Sequence, residues 1–132
     1  MKRLQSKQLI ALTTALTSGL IAAASAHAQA WPAQPATLLV PFPPGGSTDM
    51  IARTLGPKLQ EKLASSSIVT NQAGARGTVG AAAAKRAAPD GYTVFVSSLG
   101  PFVIGPHLIK GVAYDALKDF DYITVAVQAH NV

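Results

Sequence analysis

Short apolar runs alternate with stretches of helical period along most of this chain. Residues 37–40, Thr-Leu-Leu-Val, form a partly β-branched apolar run. Pro41-Phe42-Pro43-Pro44-Gly45-Gly46 closes it, because proline cannot donate to a ladder. Ser47, Thr48 and Asp49 are residue types suited to an N-cap and first turn, and Ile51, Leu55, Leu59 and Leu63 then recur every fourth position. That spacing predicts an amphipathic helix with a kink near Gly56-Pro57. Residues 67–70 read as a second strand, 71–77 as a glycine-bearing loop, and Thr78 as the cap of an alanine-rich helix running to about Ala87. Pro89-Asp90-Gly91 is a turn ahead of a third strand over residues 92–96. Another loop follows with Ser97, Ser98, Gly100 and Pro101, then a short helix or turn over 102–109 and an irregular, partly helical connection over 114–121. Residues 123–127 are expected to form a fourth strand.

The order strand, helix, strand, helix, strand predicts an α/β fold. It implies right-handed crossovers and a parallel sheet with the first strand between the second and third. Ligands of such sheets bind at the carboxyl ends of the strands, where connections diverge to opposite faces. Those ends are residues 41–49 and 97–101. Gly45-Gly46-Ser47-Thr48 is expected to present free backbone N–H groups at a helix N-terminus, which favours a carboxylate or phosphate through hydrogen bonds and the helix dipole.

The N-terminus breaks this pattern. Lys2, Arg3 and Lys7 precede an uncharged Leu-, Ile- and Ala-rich run over residues 9–26, followed by three small-x-small frames that permit cleavage after Ala26, Ala28 or Ala30. This is the layout of a secretory signal peptide over residues 1–30, with cleavage expected after Ala28 or Ala30. Thr13, Thr14, Thr17, Ser18, Gly19 and Ser25 dilute the run below what a membrane anchor needs. The remaining 31–132 is long enough for one small domain, expected in the periplasm and free of a lipid anchor.

Composition then narrows the chemistry. The chain has no cysteine, which excludes disulfides and thiolate metal sites. Eleven basic residues face six acidic ones, but three of the basic residues lie in the leader, leaving a net charge of +2. Of the basic residues beyond the leader only Lys85 and Arg86 are adjacent, and no basic stripe interleaves with aromatics, so no nucleic-acid partner is expected. His27, His107 and His130 lack metal-ligand spacing. Gly74-x-x-Gly77-x-x-Gly80 is not the dinucleotide fingerprint, and no phosphate-loop lysine accompanies it. No cofactor is expected.

Four segments in order carry a family likeness: 40–49 (Val-Pro-Phe-Pro-Pro-Gly-Gly-Ser-Thr-Asp), 74–80 (Gly-Ala-Arg-Gly-Thr-Val-Gly), 88–93 (Ala-Pro-Asp-Gly-Tyr-Thr), and Tyr114-Asp115 with Lys118-Asp119-Phe120. From about Trp31 to Val127 the chain resembles the Bug family, the substrate-binding receptors of tripartite tricarboxylate transporters in Gram-negative bacteria. The resemblance implies the first lobe of a two-lobed, type II-like periplasmic-binding-protein fold, here truncated before the second lobe. It implies a receptor that is not an enzyme and that takes up small carboxylated or polar metabolites for a membrane permease. The alternative is a receptor reporting its ligand to a membrane sensor. The family grips one carboxylate mainly with backbone amides and hydroxyls of the first-lobe loops, which carries over to Gly45, Gly46, Ser47, Thr48 and Asp49, then Thr78, then Ser97 and Ser98. The chain departs from the pattern at Gln72-Ala73, where an Arg-Pro pair is usual, and at Gly105, where an asparagine is common.

A serine hydrolase built from Ser97 or Ser98 with His107 and an aspartate is a remote alternative. Val96-Ser97-Ser98-Leu99-Gly100 lacks the glycine two residues before the serine that a nucleophile elbow needs.

Overall fold

The computed structural model describes residues 31–128; the leader and its cleavage site lie outside them. Strand β1 spans Ala36–Val40, helix α1 Ser47–Leu63, β2 Ser67–Asn71, helix α2 Thr78–Arg86 and β3 Thr93–Phe95. A 3₁₀ turn, Ala75–Gly77, precedes α2. A π-helical turn, Gly100–Ile104, leads into the single-turn helix α3, Gly105–Leu108. The three strands are parallel in the order β2-β1-β3, as the alternation of elements predicts. Because β2 and β3 flank β1 on opposite sides, right-handed crossovers put α1 and α2 on opposite faces of the sheet.

The core on the α1 face is Leu38, Val40 and Ala52, all fully buried, with Phe42, Leu59, Val69, Val94 and Val96 packed around them. Helix α1 meets the sheet along a seam offset from the predicted stripe. Thr48, Asp49, Ala52 and Gly56 are its buried residues, whereas Ile51, Leu55, Leu59 and Leu63 are only half-buried. Small residues at the seam let the helix lie close to β1 and β2: a Cβ on Gly56 would stand 2.9 Å from Ser67 Oγ and 3.7 Å from Leu38 Cδ1. Ile51 and Leu55, with Met50 and Thr54, line an open groove beside Ala126 and Val127. The helix runs through Pro57 as one element.

The expected fourth strand does not form. Residues 121–128 are without regular structure, and Ile123 and Val125 are 80% and 79% exposed. Their alternating, β-branched sequence suits a strand, but strand propensity is realised only where a neighbouring ladder and a packing surface exist. Residues 123–127 pair with none of the three strands, and they pack only through Ala126 and Val127 along the open groove of α1. The irregular connection over 114–121 is found, made of turns; Asp119 N–H donates to the Asp115 carbonyl at 3.0 Å. It is held by aromatic contacts: Phe102 and Phe120 meet edge to face at 5.1 Å, and Phe95 stacks on Phe120 at 6.1 Å.

Candidate functional site: the carboxyl edge of the sheet

Parallel strands send their following loops to one edge, so 41–46, 72–77 and 96–101 emerge side by side. They meet at Gly77. A methyl group there would stand 2.6 Å from Pro101 Cγ and 3.4 Å from both Pro41 Cβ and Phe42 Cζ, and the residue also has φ +91°. Gly77 thus serves both a left-handed turn and a three-loop contact that no larger residue permits. Gly80, one turn into α2, lies against the backbone of Pro41 and the Gln72 carbonyl, at 2.8 Å each for a built Cβ.

The first loop delivers the N-terminus of α1. Its N-cap is Gly46, in an extended conformation and without a side-chain capping bond, so Ser47, Thr48 and Asp49 occupy the first turn, one position inside the predicted cap. The first intrahelical bond runs from Met50 N–H to the Gly46 carbonyl at 2.9 Å. The amides of Ser47, Thr48 and Asp49 therefore precede any helical acceptor. Gly45, Gly46 and Ser47 are exposed, whereas Thr48 and Asp49 are buried.

Asp49 turns inward. Its side chain is 2% exposed and both oxygens are bonded: Oδ2 accepts from Gly45 N–H at 2.9 Å and Arg53 Nε at 2.8 Å, and Oδ1 accepts from Asn71 Nδ2 at 2.8 Å. These bonds, from Arg53 first, then Gly45 and Asn71, hold its carboxyl well below the usual carboxylate range, while Asp49 pushes the Arg53 guanidinium upward. Two consequences follow for the expected site. The Gly45 amide is committed to Asp49 and is not among the free donors, and Asp49 has no oxygen left without a protein partner. Arg53 balances its charge, so the helix N-terminus keeps its positive end.

The other loops contribute differently. Thr78 is the first residue of α2 and not its cap, which is Gly77. Its hydroxyl donates to the Ala75 carbonyl at 2.9 Å and the residue is buried. Ser97 Oγ donates to the Ser98 carbonyl at 3.3 Å, and Ser98 Oγ accepts from Gly100 N–H at 3.4 Å. Ser98 is exposed and Ser97 half-buried. At the departure from the family pattern, a Cβ on Gly105 would lie 2.8 Å from Thr78 Cγ2, so this backbone leaves no room for an asparagine.

Asn71 was missed by the sequence reading. It ends β2 opposite Val40 and joins Asp49 to the Phe42 carbonyl, which its Nδ2 reaches at 3.1 Å. The only local signal was an amide side chain closing a strand. Tyr114, also unassigned, is buried, and its hydroxyl donates to the Pro101 carbonyl in the third loop. Burial raises the pKa of that hydroxyl, with a smaller contribution from Tyr122. Among the described residues no cluster of His, Asp or Glu could hold a metal ion, and no helix is long and apolar enough to cross a membrane.

Three parallel strands whose following loops meet at Gly77, the first of them carrying the uncapped N-terminus of α1, make up this α/β lobe. The family model for the tripartite tricarboxylate transporter family receptor matches residues 51–132, more than half of the chain, and the chain belongs to that family of solute-binding receptors. Protein BugT of Bordetella pertussis is 43% identical over 104 residues, 78% of this chain and 31% of BugT. Among solved structures, a periplasmic transporter aligns with TM-score 0.65 and 39% identity over 67% of this chain and 30% of that one. MatC from Rhodopseudomonas palustris with bound malate aligns with TM-score 0.65 and 37% identity, over 68% of this chain and 31% of MatC. The chain spans about a third of the length of the curated relatives it matches. The fold expected from the sequence, an α/β parallel sheet matching part of a periplasmic binding protein, is the fold observed.

Proposed function

We propose that residues 31–132 form one ligand-facing wall of a periplasmic solute-binding receptor for small carboxylates, which passes its ligand to a tripartite tricarboxylate transporter permease after signal cleavage at Ala28 or Ala30. One observation carries the reading: the N-terminus of α1 has no side-chain cap, and the carboxylate that would compete for its amides, Asp49, is turned inward and neutralised by Arg53. The amides of Gly46, Ser47 and Thr48 are the donors for one ligand carboxylate, supported by the positive end of the helix. Ser97 and Ser98 flank the same edge; Ser98 keeps its hydroxyl hydrogen for a ligand, whereas Ser97 would have to give up its bond to the Ser98 carbonyl. Thr78 supports the loops from beneath. The malate bound by MatC supports the ligand class.

A single wall leaves those amides competing with water. A net hydrogen bond is then worth about 0.5–1.5 kcal/mol, and two or three of them, less the cost of immobilising the ligand, give at best roughly millimolar affinity. Malate titrated into the purified chain should shift the backbone NMR signals of Gly46, Ser47 and Thr48 with that weak affinity. Shifts confined to arginine and lysine side chains would sink the reading and show diffuse ion pairing instead.

A further inference from the structure

Asn71 approaches the first loop from behind. It lies on β2, opposite the point where β1 leaves the sheet. Its side-chain amide uses both inward hydrogens, one on the Phe42 carbonyl at 3.1 Å and one on Asp49 Oδ1 at 2.8 Å. Its Oδ1 faces Arg53 Nη2 at 3.5 Å. Asp49 in turn takes the Gly45 N–H at 2.9 Å. One short chain of bonds therefore anchors the loop near its start, at Phe42, and near its end, at Gly45, to the neighbouring strand.

We propose that Asn71 and Asp49 are positioning residues of the carboxylate site, setting ligand affinity by holding the Gly46, Ser47 and Thr48 amides in place without touching the ligand. The inference rests on the carboxylate reading above. An amide side chain supplies two donors and an acceptor, and this position uses all of them. Aspartate at 71 would set an acceptor against a carbonyl and a carboxylate; alanine would leave both without their donor. The prolines keep the loop stiff, but they do not fix its direction relative to β2. Amides already aimed at the ligand need no ordering on binding, whereas a released loop must be ordered each time. Affinity of the folded molecule then falls even where the fold persists. A residue that served stability alone would lower the melting temperature and leave that affinity unchanged.

The test compares the wild-type chain with Asn71→Ala, Asn71→Asp and a control, Leu59→Ala, which removes a core contact on α1. Each is titrated with malate well below its melting temperature, following the amides of Gly46, Ser47 and Thr48, and hydrogen exchange is measured at the Gly45 amide. Asn71→Ala should weaken malate by about tenfold and speed Gly45 exchange, with Asn71→Asp worse on both. Leu59→Ala should lower the melting temperature at least as much and keep the wild-type malate response. Wild-type affinity in Asn71→Ala, or an equal loss in Leu59→Ala, overturns the proposal. If the wild-type amides ignore malate, the carboxylate reading fails by itself. Gly45 exchange then decides on the tether alone: faster exchange in Asn71→Ala supports it, and unchanged exchange overturns it.

Discussion

The first β-α-β unit, residues 36–71, and the returning segment, residues 97–128, solve the same backbone problem in opposite ways. In the first, strand ladders and helix satisfy most of the main chain, and Asp49, Arg53 and Asn71 bond one another while tying the Gly45 N–H and the Phe42 carbonyl of the loop. In the second, side chains must satisfy the main chain. Tyr114 donates to the Pro101 carbonyl, Tyr122 to the Ala116 carbonyl at 2.7 Å, and Asp119 accepts from Asp115 N–H at 2.7 Å. The first therefore rests on a buried apolar seam and the second on aromatic edges and side-chain bonds to the main chain, of which only that of Tyr114 is buried. The difference teaches that the first loop, 41–46, is tied to the buried seam by Asp49 and Asn71, and that the third loop is only as firm as the aromatic contacts that carry it.

The hardest blow to the first unit is Leu38→Ala. Leu38 is fully buried at the centre of the seam, and truncating such a residue costs about 2–5 kcal/mol from lost transfer energy and a residual cavity. For a domain of this size that is a large share of total stability. Urea denaturation should show the midpoint moving sharply to lower concentration or no folded baseline at all. A change below about 1 kcal/mol would mean that the seam is not the core.

Acid separates the two regions more gently. The carboxyls of Asp49, Asp115 and Asp119 are all held below their ordinary value of 3.8, Asp49 chiefly by Arg53, Asp115 chiefly by the Leu117 N–H and Asp119 chiefly by the Asp115 N–H. A carboxyl depressed in the folded state binds its proton more readily when unfolded. Its contribution is therefore complete above the ordinary value and is lost as pH falls below it. Asp49→Asn should be less stable than wild type at neutral pH, with the gap closing as pH drops below 3.8. Asp119→Asn should show the same sign with a smaller gap, because Asp119 is half-exposed and its partner Lys85 is exposed. Thermal melts from neutral to acid pH measure both, and a gap that widens on acidification would contradict the assignment.

Tyr114→Phe tests the aromatic side. It keeps the ring against Phe120, at 5.7 Å edge to face, and removes only the bond to Pro101. A neutral bond of this kind is worth about 0.5–1.5 kcal/mol. The sharper readout is local: hydrogen exchange should quicken over residues 97–104 and stay unchanged over 36–56. Uniform quickening would mean that the two regions are one cooperative unit.

How far the sequence foretold this division follows from the range of each interaction. β1, α1, β2, α2 and β3 were legible because apolar period, proline and glycine act within a few residues of one another. The strand order followed from handedness. The buried seam was misplaced by one position because Ala52 and Gly56 signal close approach by smallness, not by hydrophobicity. The strand expected at 123–127 did not form: its sequence suits a ladder, but β1, β2 and β3 pair only among themselves. The helix N-terminus at Gly46, which carries the proposed anion site, was legible to within one position. Its tether was not, since Asn71 is 22 residues from Asp49 and meets it only through the parallel register.

The smallest effect on stability should accompany the largest effect on ligand. Gly46 has φ −74°, a value any residue adopts, and a Cβ there would meet only the Pro43 carbonyl at 3.6 Å. Valine is a poorer N-cap than glycine, so Gly46→Val should cost about 1 kcal/mol or less. Yet its branched side chain stands at the exposed mouth of the first loop, where a carboxylate must come within hydrogen-bonding distance of the Gly46 and Ser47 amides. The Asn71→Ala variant lets the loop wander but leaves its amides open; Gly46→Val keeps the loop tethered and covers them. Malate-dependent shifts should therefore disappear in Gly46→Val, stay near wild type in Arg76→Ala, and weaken without vanishing in Arg53→Ala, which unbalances the Asp49 charge beside the amides but removes none of the backbone donors. NMR titration of the three variants at matched ionic strength decides between the two kinds of grip. Retained binding in Gly46→Val with loss in either arginine variant would move the site away from the helix terminus and onto the guanidinium groups.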